Sequence, residues 1–392
     1  MTIVTSNTIR FSIGVPGGNL PTSLPVRARK IFTGTQYYYG GKLDEPPPAI
    51  LAYSGCAYDP AAGKIFLFGG GHHDYSGNEV WEFCIDRPHD RWTRHYAPSS
   101  YPDKAAVMAD LDNANRPGMY VSTQRPISRH TYHSLTWATN VGRMYAGGGS
   151  TWDGPDGSYW KIYPNAPGDL WAYDPTAKKW RYCGSSLVDK QWPKVSAMVF
   201  HPGRGTILTL TGMKTSAYDP KAVSYSYVKS ALSVWEYSPL ENSWANHGVA
   251  LPGNWEYWLI ALDSSRDQLV LAAWDNARVL HLFTYDIAAK AWTQRATQGS
   301  APPLPFGTYV REGDRMVFST FSDRLLYVSA TNDGALYALD MSSWTWMQAM
   351  PFGAFPQIRQ AFATVWCPQR NEMILTYALG RVHSVNVVGV QA

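Results

Sequence analysis

The most singular stretch of the chain is Gly71-His72-His73-Asp74-Tyr75-Ser76-Gly77-Asn78-Glu79, two adjacent imidazoles followed by carboxylates and an amide. Further along comes Ser128-Arg129-His130-Thr131-Tyr132-His133. Histidine beside tyrosine can abstract and return a proton near neutral pH, and arginine can fork a carboxylate with two hydrogen bonds. On that reading His72, Arg129, His130 and Tyr132 are a catalytic cluster of the kind a lyase acting on an acidic polysaccharide needs. A second reading gives His72 or His73, with Asp74 and His130, to a divalent metal. A third is structural: Asp74 and Asn78 cap turns, Arg129 bonds loop carbonyls, and the histidines line a loop. The three stay open from sequence, and no metal or cofactor is assigned.

A second group is aromatic. Trp152 and Asp153 open a long segment that also holds Asp156, Tyr159, Trp160 and Tyr163. Trp255 sits in Asn254-Trp255-Glu256-Tyr257-Trp258, Trp274 and Arg278 in Trp274-Asp275-Asn276-Ala277-Arg278, and Arg359 follows Gln357. Rings beside carboxylates, amides and guanidiniums suit a sugar: the ring faces cover apolar C–H surface and the polar groups take hydroxyls. The candidate ligand-binding set is therefore His73, Asp74, Asn78, Trp152, Asp153, Trp255, Trp274, Arg278 and Arg359. Against it stands ordinary aromatic packing, since strand alternation turns either Tyr257 or Trp258 inward.

What must position these residues is a repeat. The pattern of an apolar strand ending in an aromatic, a polar turn and a Trp recurs as LWAYDPTAKKW at 170–180, VWEYSPLENSW at 234–244, LFTYDIAAKAW at 282–292 and LYALDMSSWTW at 336–346. VWEFCIDRPHDRW at 80–92 is a longer copy. Tyr173/Trp180, Tyr237/Trp244, Tyr285/Trp292 and Tyr337/Trp344 share one spacing, so Trp92, Trp180, Trp244, Trp292 and Trp344 are read as structural. Two apolar strands joined by a turn precede each copy, giving four strands, A to D, per unit. In the fifth unit either TYV or MVFSTF supplies strand A. Four antiparallel strands every 40–50 residues describe a β-propeller blade.

The Gly pairs Gly69–Gly70 and Gly147–Gly148 that end strand B, with the later aromatic and Trp, resemble the kelch repeat over residues 50–390. The His-rich stretch and the Arg129 segment resemble kelch-like proteins of bacteria and their phages, within the galactose-oxidase-like group. The resemblance implies the fold and no particular reaction. A copper radical site would need a Cys beside a loop tyrosine, and none of the four cysteines falls there.

The expected architecture is one all-β kelch-like propeller spanning residues 1–392, with six four-stranded blades. Seven fit if residues 16–50 or 95–128 hide a degenerate one. The last unit offers only three strands, so residues 8–15 are expected to close the ring beside 381–388, with 16–50 as a crossover and 51–390 as blades. The B–C and D–A connections share one face, where long loops carry function; the A–B and C–D turns read as plain surface turns.

The charge, 34 basic against 30 acidic residues, is scattered without a Lys/Arg run, which argues against nucleic acid. No apolar run is long enough for a membrane-spanning helix, and residues 1–15 lack the pattern of a secretory signal, so no membrane insertion is expected and localisation stays open. Cys56, Cys84, Cys183 and Cys367 have no CxxC spacing; they read as reduced thiols, with a Cys56–Cys84 bridge as the alternative. The expected function is glycan recognition, as in a virion-associated or surface receptor-binding protein. Polysaccharide cleavage and a purely structural role with a protein partner are the alternatives.

Overall fold

The computed structural model describes residues 26–32, 50, 54–69, 77–86, 92–99, 106, 109–112, 116, 118–148, 150–151, 169–185, 197–219, 224–253, 255–275, 277, 279–302, 315–328, 336–348, 362–377 and 381–387. Within them lie six antiparallel sheets of four strands, the fifth extended by a short parallel strand, Gln298–Gly299. Their first strands are Cys56–Asp59, Leu135–Ala138, Ala197–His201, Trp255–Asp263, Arg315–Ser319 and Phe362–Cys367. Each lies beside the next, and the sixth beside the first, so the sheets close into a ring with strand A innermost. This is a six-bladed β-propeller.

The hydrophobic core lies between the blades, not at the axis. Each sheet turns one face to the preceding blade and one to the following, and its residues alternate accordingly. Phe66 and Phe68 of blade 1 pack with Trp137, Trp171 and Tyr173 of blade 2. Tyr145 and Ala172 of blade 2 pack with Ile207 and Tyr237 of blade 3. Leu259 and Ala261 of blade 4 face Met316 and Phe318 of blade 5, and Cys56 and Tyr58 of blade 1 meet Ala363 and Val365 of blade 6.

Closure is made by an N-terminal strand, though not the expected one. Val26–Phe32 is the outer strand of blade 6, paired with Arg381–Val387 from Val26↔Val387 to Phe32↔Val382. The other edge of Arg381–Val387 is taken by Glu372–Tyr377; residues 8–15 lie outside the described residues. The segment read as crossover thus supplies the closing strand. The described part of 95–128 forms no four-stranded sheet, only the short ladder of Met119–Tyr120 with Arg125–Pro126 and a bridge from Leu111 to Tyr120. Blade 5 takes Arg315–Ser319 as strand A, the MVFSTF alternative. In blade 3, strands B and C run on as a ribbon to Asp219↔Ser224 instead of parting at a loop.

The turns explain the repeat. Asp59, Asp174, Asp263 and Asp340 end a strand and accept backbone N–H groups two and three residues on. The last turn residue has positive φ: Lys178, Asn242, Lys290 and Trp344 in the C–D turns, all between 53° and 55°. Trp344 therefore stands where Lys178 stands, in the turn, and its assignment to the core series is corrected. In register, Tyr173↔Trp180, Tyr237↔Trp244 and Tyr285↔Trp292 are matched by Leu339↔Trp346. Trp346 is the buried ring, and its own Asp340 sets the count that the extra Trp344 obscured.

Polar links join neighbouring blades at equivalent places. His95 lies between Glu82 of its own blade and Tyr173 of the next; His247 repeats this with Glu236 and Tyr285. At the A–B turns Arg204 forks Asp267 and Arg266 forks Asp323. All four cysteines are free thiols.

Candidate functional site

Arg129 and His130 form a short ladder with Ser150–Thr151, at the entrance to blade 2. Arg129 Nη1 donates to Asp169 Oδ1 at 2.7 Å and to the Gly148 carbonyl at 3.2 Å. The second oxygen of Asp169 accepts the Trp171 indole N–H at 2.6 Å. Both charged side chains are buried, 1% and 0% exposed. A carboxylate and a guanidinium out of water are tolerable only as such a pair. Nη1 of the guanidinium is thus engaged inside the protein, while Nε and Nη2 are buried with no partner among the described residues.

The residues that follow are fastened to blade 1. Ser128 Oγ donates to the Gly69 carbonyl, and Thr131 Oγ1 accepts the Gly55 N–H at 2.9 Å. Tyr132 has φ of 47°, uncommon for an aromatic residue, and its carbonyl lies 2.8 Å from where a Cβ on Gly55 would stand. Only glycine permits that approach. His130 Nδ1 and Tyr132 Oη are 3.2 Å apart, with the rings edge to face. Segment 128–133, clamped by Arg129–Asp169 at one end and by Gly55 at the other, puts Tyr132 and His133 on the wall of an axial cavity.

That cavity, about 580 Å³, is walled by the six inner strands and falls within the size range of small-molecule sites. The penultimate residue of every inner strand lines it: Tyr58, Trp137, Phe200, Leu262, Phe318 and Trp366, five of the six aromatic. Two residues on, the first residue of every A–B turn forms a second ring: Pro60, Thr139, Pro202, Ser264, Thr320 and Pro368. Among the described residues no Asp, Glu, Lys or Arg lines the cavity. Polar groups are present nonetheless, in His133, Thr136, Thr364 and Gln369. Among the described residues Thr364 Oγ1 and Trp366 Nε1 have no hydrogen-bond partner, and both atoms are buried away from solvent. Tyr58, Trp137 and Phe318 are buried against the preceding blade, whereas Phe200 and Trp366 are only partly covered.

The other expected ligand residues are elsewhere. Asn78 is fully buried, donating to the Pro126 carbonyl and accepting the Ser99 N–H, so it ties down the crossover between blades 1 and 2. Trp255 packs edge-on against Phe283, and Trp274 lies between blades 4 and 5 near Tyr327. Alternation within a strand flanked by two blades turns both rings into the core. His72, His73, Asp74, Trp152, Asp153, Arg278 and Arg359 lie outside the described residues. No group of three His, Cys, Asp or Glu able to hold a metal occurs among the described residues. Sequence reading missed the two rings because their residues differ in type from blade to blade; they share only a position relative to the A–B turn.

No family model matches this chain, and no curated protein sequence does. Among solved structures it is similar to YjhT, with a TM-score of 0.51 and 12% identity over 87% of this chain and 94% of that one. TolB from Acinetobacter baumannii matches with a TM-score of 0.42 and 9% identity over 75% of this chain, which spans about half of TolB, 53%. The likeness to YjhT shows the fold alone. The chain is a β-propeller, an architecture that supports a binding or interaction scaffold. Its kelch resemblance rests on the sequence marks given above.

Proposed function

We propose that the protein is a glycan-recognition module that takes an uncharged sugar into the axial cavity. The observation that carries this is the cavity wall: a girdle of aromatic positions with interspersed hydroxyl, amide and imidazole groups, and no charged side chain among the described lining. Phe200 and Trp366, the two rings only partly covered, match the apolar C–H faces of a pyranose, while His133, Thr136 and Gln369 place polar groups on the same wall. An uncharged wall gives a uronic acid nothing to offset the loss of its hydration. The role this suits is attachment to a glycan-bearing surface.

Cleavage of an acidic polysaccharide has narrower support, in the proximity of His130 and Tyr132 and the place of Tyr132 on the wall. Against it, the Arg129 guanidinium is buried, with Nη1 held by Asp169.

The test is calorimetric titration with neutral gluco-, galacto- and manno-oligosaccharides and with uronic-acid oligosaccharides, each also followed for new ultraviolet absorbance. Binding of a neutral sugar without turnover supports recognition. Turnover of a uronic-acid chain, or binding of acidic sugars alone, contradicts it.

A further inference from the structure

Resting on that reading, we propose that the glycan enters from the A–B turn face and is bound by a chain end, not by an internal stretch. The cavity wall includes the first residue of all six A–B turns, so the cavity reaches that face over its whole circumference. Thr139, Pro202, Ser264, Thr320 and Pro368 are exposed there, and Pro60 is partly so. None of the six is charged, and several charges beside them are paired. Arg204 pairs with Asp267, and Arg266 with Asp263 and Asp323. The mouth is thus a neutral collar of pyrrolidine rings and hydroxyls, bordered by ion pairs at blades 3 to 5.

Enclosure sets how a polymer can use this site. The inner strands adjoin one another around the whole ring, from Cys56–Asp59 through to Phe362–Cys367 and back. A continuous chain therefore cannot lie across the cavity as it would across an open groove. A terminus can enter along the axis, pass the collar, and reach the aromatic girdle two residues deeper. Recognition of an end makes the amount bound follow the molar concentration of chain ends, with an affinity that does not grow with chain length. Gathering many ends on one surface then adds avidity when several copies of the protein act together.

The experiment uses the full chain and the same neutral gluco-, galacto- and manno-oligosaccharides in three forms: free, coupled to a bulky soluble carrier at one end, and coupled at both ends. In parallel, Ser264→Trp and Thr320→Trp narrow the mouth at two exposed turn positions. Val279→Trp, on the opposite face between strands B and C of blade 4 and 52% exposed, is the control. The expected result is that coupling both ends abolishes binding. Each mouth variant weakens it by about tenfold or more, while Val279→Trp and all three melting temperatures match the parent. If a neutral sugar binds but doubly coupled chains bind as well as free ones, or the mouth variants bind as the parent does, end-on entry is wrong and glycan recognition stands. If no neutral sugar binds, the recognition reading falls and the entry route with it.

Discussion

Arg129 Nη1 lies 2.7 Å from Asp169 Oδ1 in an ion pair that reaches no solvent, and the pair joins the crossover entering blade 2 to the third strand of that blade. The cluster that looked reactive in sequence is here a clamp, and what it positions is the segment bearing Tyr132 and His133. Removing one member leaves the other charge buried without compensation. Asp169→Asn should destabilise the protein by about 3–5 kcal/mol. Arg129→Met combined with Asp169→Asn should cost less than the two changes summed. Chemical denaturation of the cycle measures this; an Asp169→Asn variant as stable as the parent contradicts the clamp.

The two tryptophans at the end of blade 5 should behave differently. Trp346 is 2% exposed and pairs in register with Leu339, so Trp346→Ala should cost about 3–5 kcal/mol. Trp344 stands in the turn at φ of 55°, packs partly against the same core and lies under the Arg295 guanidinium. Trp344→Asn, which copies Asn242 of the equivalent turn, should cost clearly less. Equal losses would return Trp344 to the core series.

Acid should loosen the joint between blades 3 and 4. The hydrogen bond with His247, with a further one from Thr206, holds the Glu236 carboxyl down to about 2 against an ordinary 4.5, despite burial that acts the other way. A depressed carboxyl contributes stability above its unfolded value and loses it as pH falls through the folded one. The stabilisation from Glu236 is therefore complete above about pH 4.5 and gone below about pH 2. Glu236→Gln should flatten the fall in denaturation midpoint across that interval. An unchanged slope would show that this carboxylate does not carry it.

Closure by Val26–Phe32 has a sharp test. Backbone N–H groups alternate between the two edges of a strand, so one of Ala28 and Arg29 points its N–H at the Arg381–Val387 strand, with which they pair at Val385 and Ser384. Replacing both by proline removes that donor and should lower the melting temperature and promote association through the exposed edge. A variant that melts and elutes as the parent does would remove this strand from the ring.

The blade count, the four-strand unit and the interblade tryptophans were legible because turn chemistry repeats: Asp at the strand end, then a residue with positive φ, then the buried ring. Where turn residues duplicate the signal, as at Trp344 and Trp346, spacing alone chose the wrong ring. The closing strand was misplaced because Val26–Phe32, with three of its seven residues basic, reads as polar, which suits an outer edge. Asn78, Arg129, Trp255 and Trp274 attracted attention by type, but burial is a tertiary property and no local pattern encodes it. The axial rings escaped notice for the opposite reason: Tyr, Trp, Phe and Leu at one level become a single feature only when six strands meet.

The most direct test of the account is calorimetric titration of the tightest neutral oligosaccharide at low and high salt, with the parent and with Trp366→Leu. Binding in an uncharged cavity through ring stacking and hydrogen bonds should give the same affinity at both salt concentrations. Trp366→Leu should weaken it by about tenfold or more while still melting cooperatively. Binding that falls steeply with salt, or that survives Trp366→Leu unchanged, would place the ligand outside the axial cavity and contradict the account.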